Sequence, residues 1–184
     1  MMAEKVIQLY GKVDILLNNA ALSYGVEPQA WDAWTTKNWD RMFDINTKGT
    51  WLCCKAIAPL MVKQSHGKII NIVSNLIKMP QSYMILPYSC SKAATFMLTR
   101  CLAAALGPSG INVNAIAPGS TATEANLIRP DHEAMFRRVI ASQSLKRREE
   151  PEDLVGTAVF LASNDSDFMT GQLLIVDGGT AFAD

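Results

Sequence analysis

Apolar residues along this chain gather into short runs, separated by longer stretches in which they recur every three or four positions. The runs Val13–Leu17, Ile69–Val73, Ile111–Ala117 and Leu173–Val176 read as buried parallel strands, because a strand covered on both faces shows no polar alternation. The intervening stretches carry the helical period. Met1–Tyr10 stops at Gly11, a natural C-terminal cap, and reads as the tail of a helix. From Asn38 to Gln64 one long helix is predicted, with Trp39, Met42, Phe43, Asn46, Thr50 and Cys54 along one side and Pro59 kinking its later part. Another begins near Pro87 and continues through Leu106 to a stop at Gly107 and Pro108. The polar stretch to Asp131 and the helical Glu133–Ala141 read as a lid, with Leu127, Met135 and Phe136 as its apolar contacts. A last helix starts around Pro151, where proline suits the first turn and the following acids suit the dipole. Strand alternating with helix predicts an α/β fold, a doubly wound parallel sheet, in one domain over residues 1–184.

Composition narrows the function classes. Apolar residues make up 49% and charged residues 18%, as in an ordinary globular protein. The 17 basic and 17 acidic residues cancel, so no basic footprint for nucleic acid or an anionic membrane is present. The run Lys146–Glu150 reads as a solvated loop, since its own acids follow its bases at once. Cys53, Cys54, Cys90 and Cys101 lie on predicted helices without zinc-ligand spacing and read as reduced, mostly packed thiols, so no metal is expected. His66 and His132 read as exposed loop residues. No run reaches membrane-span length and the N-terminus lacks signal-peptide order, which gives a cytoplasmic location as the default expectation.

The candidate chemistry lies between Ser74 and Lys92. On a helix starting near Pro87, Tyr88 and Lys92 stand four apart, on one face, one turn from each other. A phenol titrates near ~10, and a fixed positive charge beside it favours the phenolate and lowers that value. Ser74 closes a predicted strand at its C-terminal end, where open α/β sheets bind ligands. Together they read as a carbonyl or alcohol site. The two-residue spacing alone is equally met by a tyrosine packed beside a surface lysine. Asn46, a polar residue within an apolar stripe, reads by itself as a core asparagine with satisfied hydrogen bonds.

Six segments then fall into one pattern: Asp14–Ala20 with its paired asparagines, Asn46, Ser74, Tyr88-x-x-x-Lys92, Asn112–Gly119 and Val176–Gly179. In order and spacing the chain resembles the short-chain dehydrogenase/reductase family over essentially its whole length. The resemblance implies a Rossmann-type fold and an NAD(P)-dependent oxidoreductase that interconverts an alcohol and a ketone or aldehyde by hydride transfer. It implies Tyr88 as general acid/base, Lys92 as the residue that lowers its pKa and bonds the nicotinamide ribose, Ser74 as holder of the substrate oxygen, and Asn46 as anchor of a relay water. Asn19, Tyr88, Lys92, Thr121 and Thr123 would meet the cofactor, NAD or NADP. Ala93, Ala94, Ala104 and Ala105 would let another helix approach closely, as in the family's four-helix interface, implying a homodimer or homotetramer.

Three departures from the family pattern stand out. Ala21 replaces the glycine after the paired asparagines, and Ile77 the glycine often found three residues after the serine. The larger one is that no Gly-x-x-x-Gly-x-Gly follows any strand. The sheet is therefore expected to be incomplete, lacking its first strands, with Val13–Leu17 as a bare edge. The activity would then be impaired in this truncated chain. The alternatives are a catalytically silent binding or assembly subunit pairing with full-length relatives, and an active enzyme whose phosphate contacts come from a partner or a rearranged loop. The neighbourhood of Trp31, Trp34, Tyr83 and Met84 suggests an apolar or aromatic alcohol or ketone, an acyl chain, or packing alone.

Overall fold

The computed structural model describes residues 2–23 and 27–182. Four parallel strands, β1 (Ile15–Asn18), β2 (Gly67–Ile72), β3 (Ile111–Pro118) and β4 (Leu173–Val176), form one sheet in sequence order. The register pairs Ile15 with Lys68, Gly67 with Ile111 and Ala115 with Leu173. All four predicted runs are strands. β2 and β3 are buried, as their unbroken apolar character requires.

β1 departs from the buried strand expected of it. Among the described residues it pairs only with β2, and Ile15 and Leu17 are each 48% exposed, so it is the open edge that the absent glycine motif implied. Ahead of it, α1 (Met2–Tyr10) closes at Gly11, whose φ of 74° lets its N–H reach the Ile7 carbonyl at 2.8 Å.

Helices cover both faces. Alternate residues of β2 part company: Ile69 packs with Ile57, Met61 and Ala103, whereas Ile70 packs with Leu161. The first group lies on α3 (Gly49–Gln64) and α4 (Leu86–Leu106), and Leu161 on α7 (Glu152–Ala162). Between β3 and α7 run two helices, the short α5 (Glu124–Leu127) and α6 (His132–Ser142).

The long helix predicted over residues 38–64 is interrupted. It begins earlier as α2 (Thr36–Phe43), where the Thr35 hydroxyl accepts the Asn38 N–H at 3.1 Å, and passes through a π-helical turn over Asp44–Lys48 before α3. α3 continues past Pro59 to Gln64. Met42, Asn46, Thr50 and Cys54 are buried and Phe43 partly so, whereas Trp39 is exposed, so the expected stripe is present from Met42 onward. Phe136 of α6 is buried, but Leu127 is exposed and does not serve as an apolar contact of the lid. His132 opens α6 instead of lying in a loop, its Nδ1 2.7 Å from the Arg129 carbonyl oxygen.

Candidate active site

Ser74 lies two residues beyond β2, extended in backbone, and its Oγ accepts the Leu76 N–H at 3.3 Å to cap the tight turn Asn75–Lys78. Pro87 occupies the first turn of α4, where its missing N–H costs nothing. Tyr88 follows on the same turn. Ser74 and Tyr88 line one cavity of about 280 Å³, at the C-terminal ends of β2 and β3, with Gly119 and Ser120 on its far wall. Arg129 and Arg138 also line it.

Lys92 sits beneath, only 3% exposed. Its Nζ donates to the Ile72 carbonyl at 2.7 Å and lies 5.9 Å from the centroid of the Tyr88 ring. Burial pushes the ammonium down to about 8. The expected lowering of the Tyr88 pKa is not found. Burial raises it above the ordinary phenol value, and a hydrogen bond with the Ser74 side chain pulls the other way. The lysine's charge is engaged with a backbone carbonyl, and removal of the phenol from water is the larger effect.

Asn46 reaches the site through its neighbours. Its Oδ1 accepts the Leu22 N–H at 2.7 Å, and its Nδ2 donates to the Leu22 carbonyl at 3.2 Å and to the Ser91 Oγ at 3.0 Å. Ser91 in turn donates to the Tyr88 carbonyl at 2.7 Å. The Asn46 carbonyl accepts from Thr50 Oγ1 at 2.8 Å and Thr95 Oγ1 at 3.2 Å. The π-helical turn thus ties the loop after β1 to the start of α4. Ser91 was missed by sequence reasoning, although it lies within the Tyr-x-x-x-Lys segment.

Two buried acids brace the cavity, and one of them, Glu149, escaped notice. Glu149 lies in the run read as a solvated loop, yet it is 8% exposed. Its carboxylate accepts the Thr121 hydroxyl at 2.7 Å and the Gly119 N–H at 3.1 Å, holding the wall of the cavity from behind. Burial pushes its pKa up, those two hydrogen bonds oppose the shift, and nearby Asp177 adds to it. Asp177 accepts from Asn75 Nδ2 at 2.9 Å and from the N–H groups of Gly179, Thr180 and Ala181 at 2.8 to 3.1 Å. Nothing in the run of charges around Glu149 distinguishes the inward acid from the outward ones. Arg148 of the same run lies over Phe136, 4.4 Å from the ring centroid.

Of the remaining expected cofactor contacts, Thr121 is buried directly behind Gly119 and Ser120, whereas Asn19 and Thr123 are exposed. Asn18, not Asn19, is engaged: its Nδ2 donates to Asn71 Oδ1 at 2.8 Å. Trp31, Trp34, Tyr83 and Met84 do not line the cavity, and Trp31 is 70% exposed. The four thiols are free; burial pushes Cys54 up to about 11 and raises Cys90. Among the described residues no acid, histidine or cysteine cluster is arranged to hold a metal, and no helix is long and apolar enough to cross a membrane.

The residues present fit the nicotinamide end of a dinucleotide, with a desolvated ammonium below a cavity that already holds a phenol and a serine hydroxyl. Comparison with known proteins agrees. A family described as Enoyl-(Acyl carrier protein) reductase matches residues 1–181. A protein of Rhizobium meliloti, the "Probable galactose dehydrogenase GalD", is 39% identical over 96% of this chain and 68% of its own length. The bovine "Dehydrogenase/reductase SDR family member 4" is 35% identical over 95% of this chain and 61% of its own. The crystal structure of a gluconate 5-dehydrogenase from Burkholderia cenocepacia, in complex with NADP and tartrate, superposes with a TM-score of 0.88. It is 34% identical, with 97% of this chain and 68% of that one covered.

Proposed function

We propose, from the premise that this chain belongs to the short-chain dehydrogenase/reductase family and is an NAD(P)-dependent oxidoreductase, that Tyr88, Ser74, Lys92 and Asn46 carry its alcohol–carbonyl interconversion. The single observation that carries this assignment is the shared cavity of Ser74 and Tyr88 above the buried Lys92. The bound nicotinamide supplies the acceptor or donor of the hydride.

Tyr88 moves the proton. In reduction its neutral phenol gives a proton to the carbonyl oxygen; in oxidation its phenolate takes the hydroxyl proton while the carbinol hydrogen leaves with its electron pair. Ser74 holds the same oxygen. Lys92 presents a positive charge near the phenol, and in this reading it would meet the cofactor's ribose. Asn46 fixes the start of α4 through Ser91, and so the position of Tyr88. Thr121 is assigned to the nicotinamide end, with Asn19 and Thr123 further out. GalD is named for galactose and the Burkholderia enzyme for gluconate, so chains similar to this one differ in substrate, and we assign selection to the residues around these four.

The exposed faces of α3 and α4, with Trp51, Leu52, Met97 and Cys101, favour a homodimer or homotetramer, which light scattering on the purified chain would register. Four unpaired thiols favour a reducing compartment such as the cytoplasm.

The test is a fluorescence titration with NADH and NADPH, followed by turnover of the chain and of Tyr88→Phe. Saturable binding with turnover that the variant loses supports the assignment. Saturable binding without turnover favours a silent binding subunit, and undiminished turnover by Tyr88→Phe removes Tyr88 from the chemistry.

A further inference from the structure

The cavity that contains Ser74 and Tyr88 is not neutral. Two guanidinium groups, Arg129 and Arg138, line it together with a single acid, Asp131. Arg129 is one-fifth exposed and bonds Asp131 through Nε alone, at 3.2 Å, so among the described residues its two terminal nitrogens carry no hydrogen bond. Arg138 makes no hydrogen bond among the described residues; its charge is felt at Asp131, whose carboxyl Arg129 and Arg138 both hold below the usual range, Arg129 more strongly. Two cations against one anion leave the lining of the cavity that also holds Ser74 and Tyr88 with one positive charge in excess among the described residues, Arg129 partly buried and Arg138 exposed at its rim.

We propose that the substrate of this site is a hydroxy or keto acid whose carboxylate is received by Arg129 and Arg138 while Ser74 and Tyr88 hold its reacting oxygen. This rests on the oxidoreductase assignment made above. A carboxylate matches the single excess charge and the planar donor fork of a guanidinium. A phosphate monoester, with close to two negative charges at neutral pH, overshoots it. A neutral apolar substrate would cover the rest of Arg129, only one-fifth exposed, without a second anion to meet it. The remaining polar wall, Asn75, Ser120 and Asn126, suits further hydroxyl groups. At about 280 Å³ the space admits a small molecule, just under the usual range for ligand pockets.

The matched probes are D-gluconate and D-gluconamide, which share a carbon chain and hydroxyls and differ in charge. Steady-state kinetics with NAD and NADP would compare the wild-type chain, Arg129→Gln, Arg138→Gln, the double Gln variant and the double Lys variant. The acid is expected to exceed the amide at least tenfold in kcat/KM. Each Gln variant should lower that ratio several-fold, chiefly through KM of the acid, and the double Lys variant should restore part of it. An amide used as well as the acid, or a ratio unmoved in the double Gln variant, overturns the proposal. If the wild-type chain binds NADH but turns over neither probe, the catalytic assignment fails separately. Titration calorimetry with gluconate then decides the anion site: binding lost in the double Gln variant supports it, and no binding to the wild type overturns it.

Discussion

The Lys92 ammonium lies 2.7 Å from the carbonyl oxygen of Ile72, the last residue of β2, and 5.9 Å from the centre of the Tyr88 ring one turn before it on α4. The strand that leads to Ser74 therefore also fixes the lysine. Ser74, Tyr88 and Lys92 are set by one junction between β2 and α4, and the directions of the Tyr88 and Lys92 pKa shifts follow from burial there.

Tyr88 is held protonated at neutral pH because burial raises its pKa. Carbonyl reduction is expected to be level between pH 6 and pH 8, whereas alcohol oxidation, which needs the phenolate, should rise with pH through that range and beyond. Tyr88→Phe is expected to reduce turnover by about 10²- to 10⁴-fold in both directions. Rate profiles against pH check both statements, and a level oxidation profile would contradict the first.

Lys92 is buried as a cation at a cost. Its folded pKa of about 8 lies below its ordinary 10.5, so between these values the unfolded chain binds a proton that the folded chain does not. Stability from this group therefore rises with pH above 8. Lys92→Met should be inactive yet more stable than wild type at pH 7, by up to about 3 kcal/mol less the lost bond to Ile72. That advantage should shrink as pH approaches 9.5. Urea melts at the two pH values measure it, and an advantage independent of pH would contradict the burial argument.

Asn46→Ala leaves the Leu22 N–H without its 2.7 Å acceptor and removes the tie to Ser91. A loss of about 2–4 kcal/mol is expected. Asn46→Asp should not rescue it: a carboxylate keeps the acceptor for Leu22 but turns an oxygen toward the Leu22 carbonyl, and Ser91 already donates to Tyr88. Thermal melts of both variants would test this, with full recovery by Asp the contrary result.

Much of this arrangement was legible in the residue pattern. The four strands were plain because apolar runs of that length between helical stretches have few other solutions. Ser74, Tyr88 and Lys92 were singled out because six segments in one order resemble a single family; the Tyr88–Lys92 spacing alone left a tyrosine packed beside a surface lysine equally open. The apolar pattern did not give the exposure of β1, to which only the absent glycine motif pointed, since an apolar run reads alike in a sheet centre and at its edge. Nor did it give Glu149, because an acid beside three others shows no sign of facing inward. Arg129 and Arg138 were hidden for a similar reason: a cation in a polar stretch is usually solvated, and only the fold brings the turn before α6, with Arg129, and α6 itself, with Arg138, to the cavity.

Ser65 ends α3 in the left-handed region, at φ 54°. Its side chain is exposed, so Ser65→Gly should relieve the strain without loss of packing and raise stability by about 0.5–1 kcal/mol, or roughly 1–4 °C in Tm. The neighbouring Gly110 is the opposite case. Its φ is 77°, and a Cβ there would stand 2.6 Å from the Ser65 carbonyl oxygen, so Gly110→Ala should destabilise the fold. Calorimetry of the pair would expose an error if both moved Tm in the same direction.

Met42, Asn46, Thr50 and Cys54 recur at intervals of four and are all buried. In an unbroken α-helix each such step overshoots a turn by about 40°, so three steps would carry Cys54 about a third of the way round the axis. The wide turn over Asp44–Lys48 holds an extra residue in one circuit and offsets part of that overshoot. It acts as a phase correction, allowing a plain beat of four to stay on one side through Asn46. Insertions and deletions should therefore be unequal along this helix. One residue removed between 44 and 48 changes the winding of a single turn, whereas one removed within α3 rotates everything after it by about 100° relative to the sheet. A deletion scan over residues 44–64, read by solubility and helical content, would find its tolerant window at the wide turn.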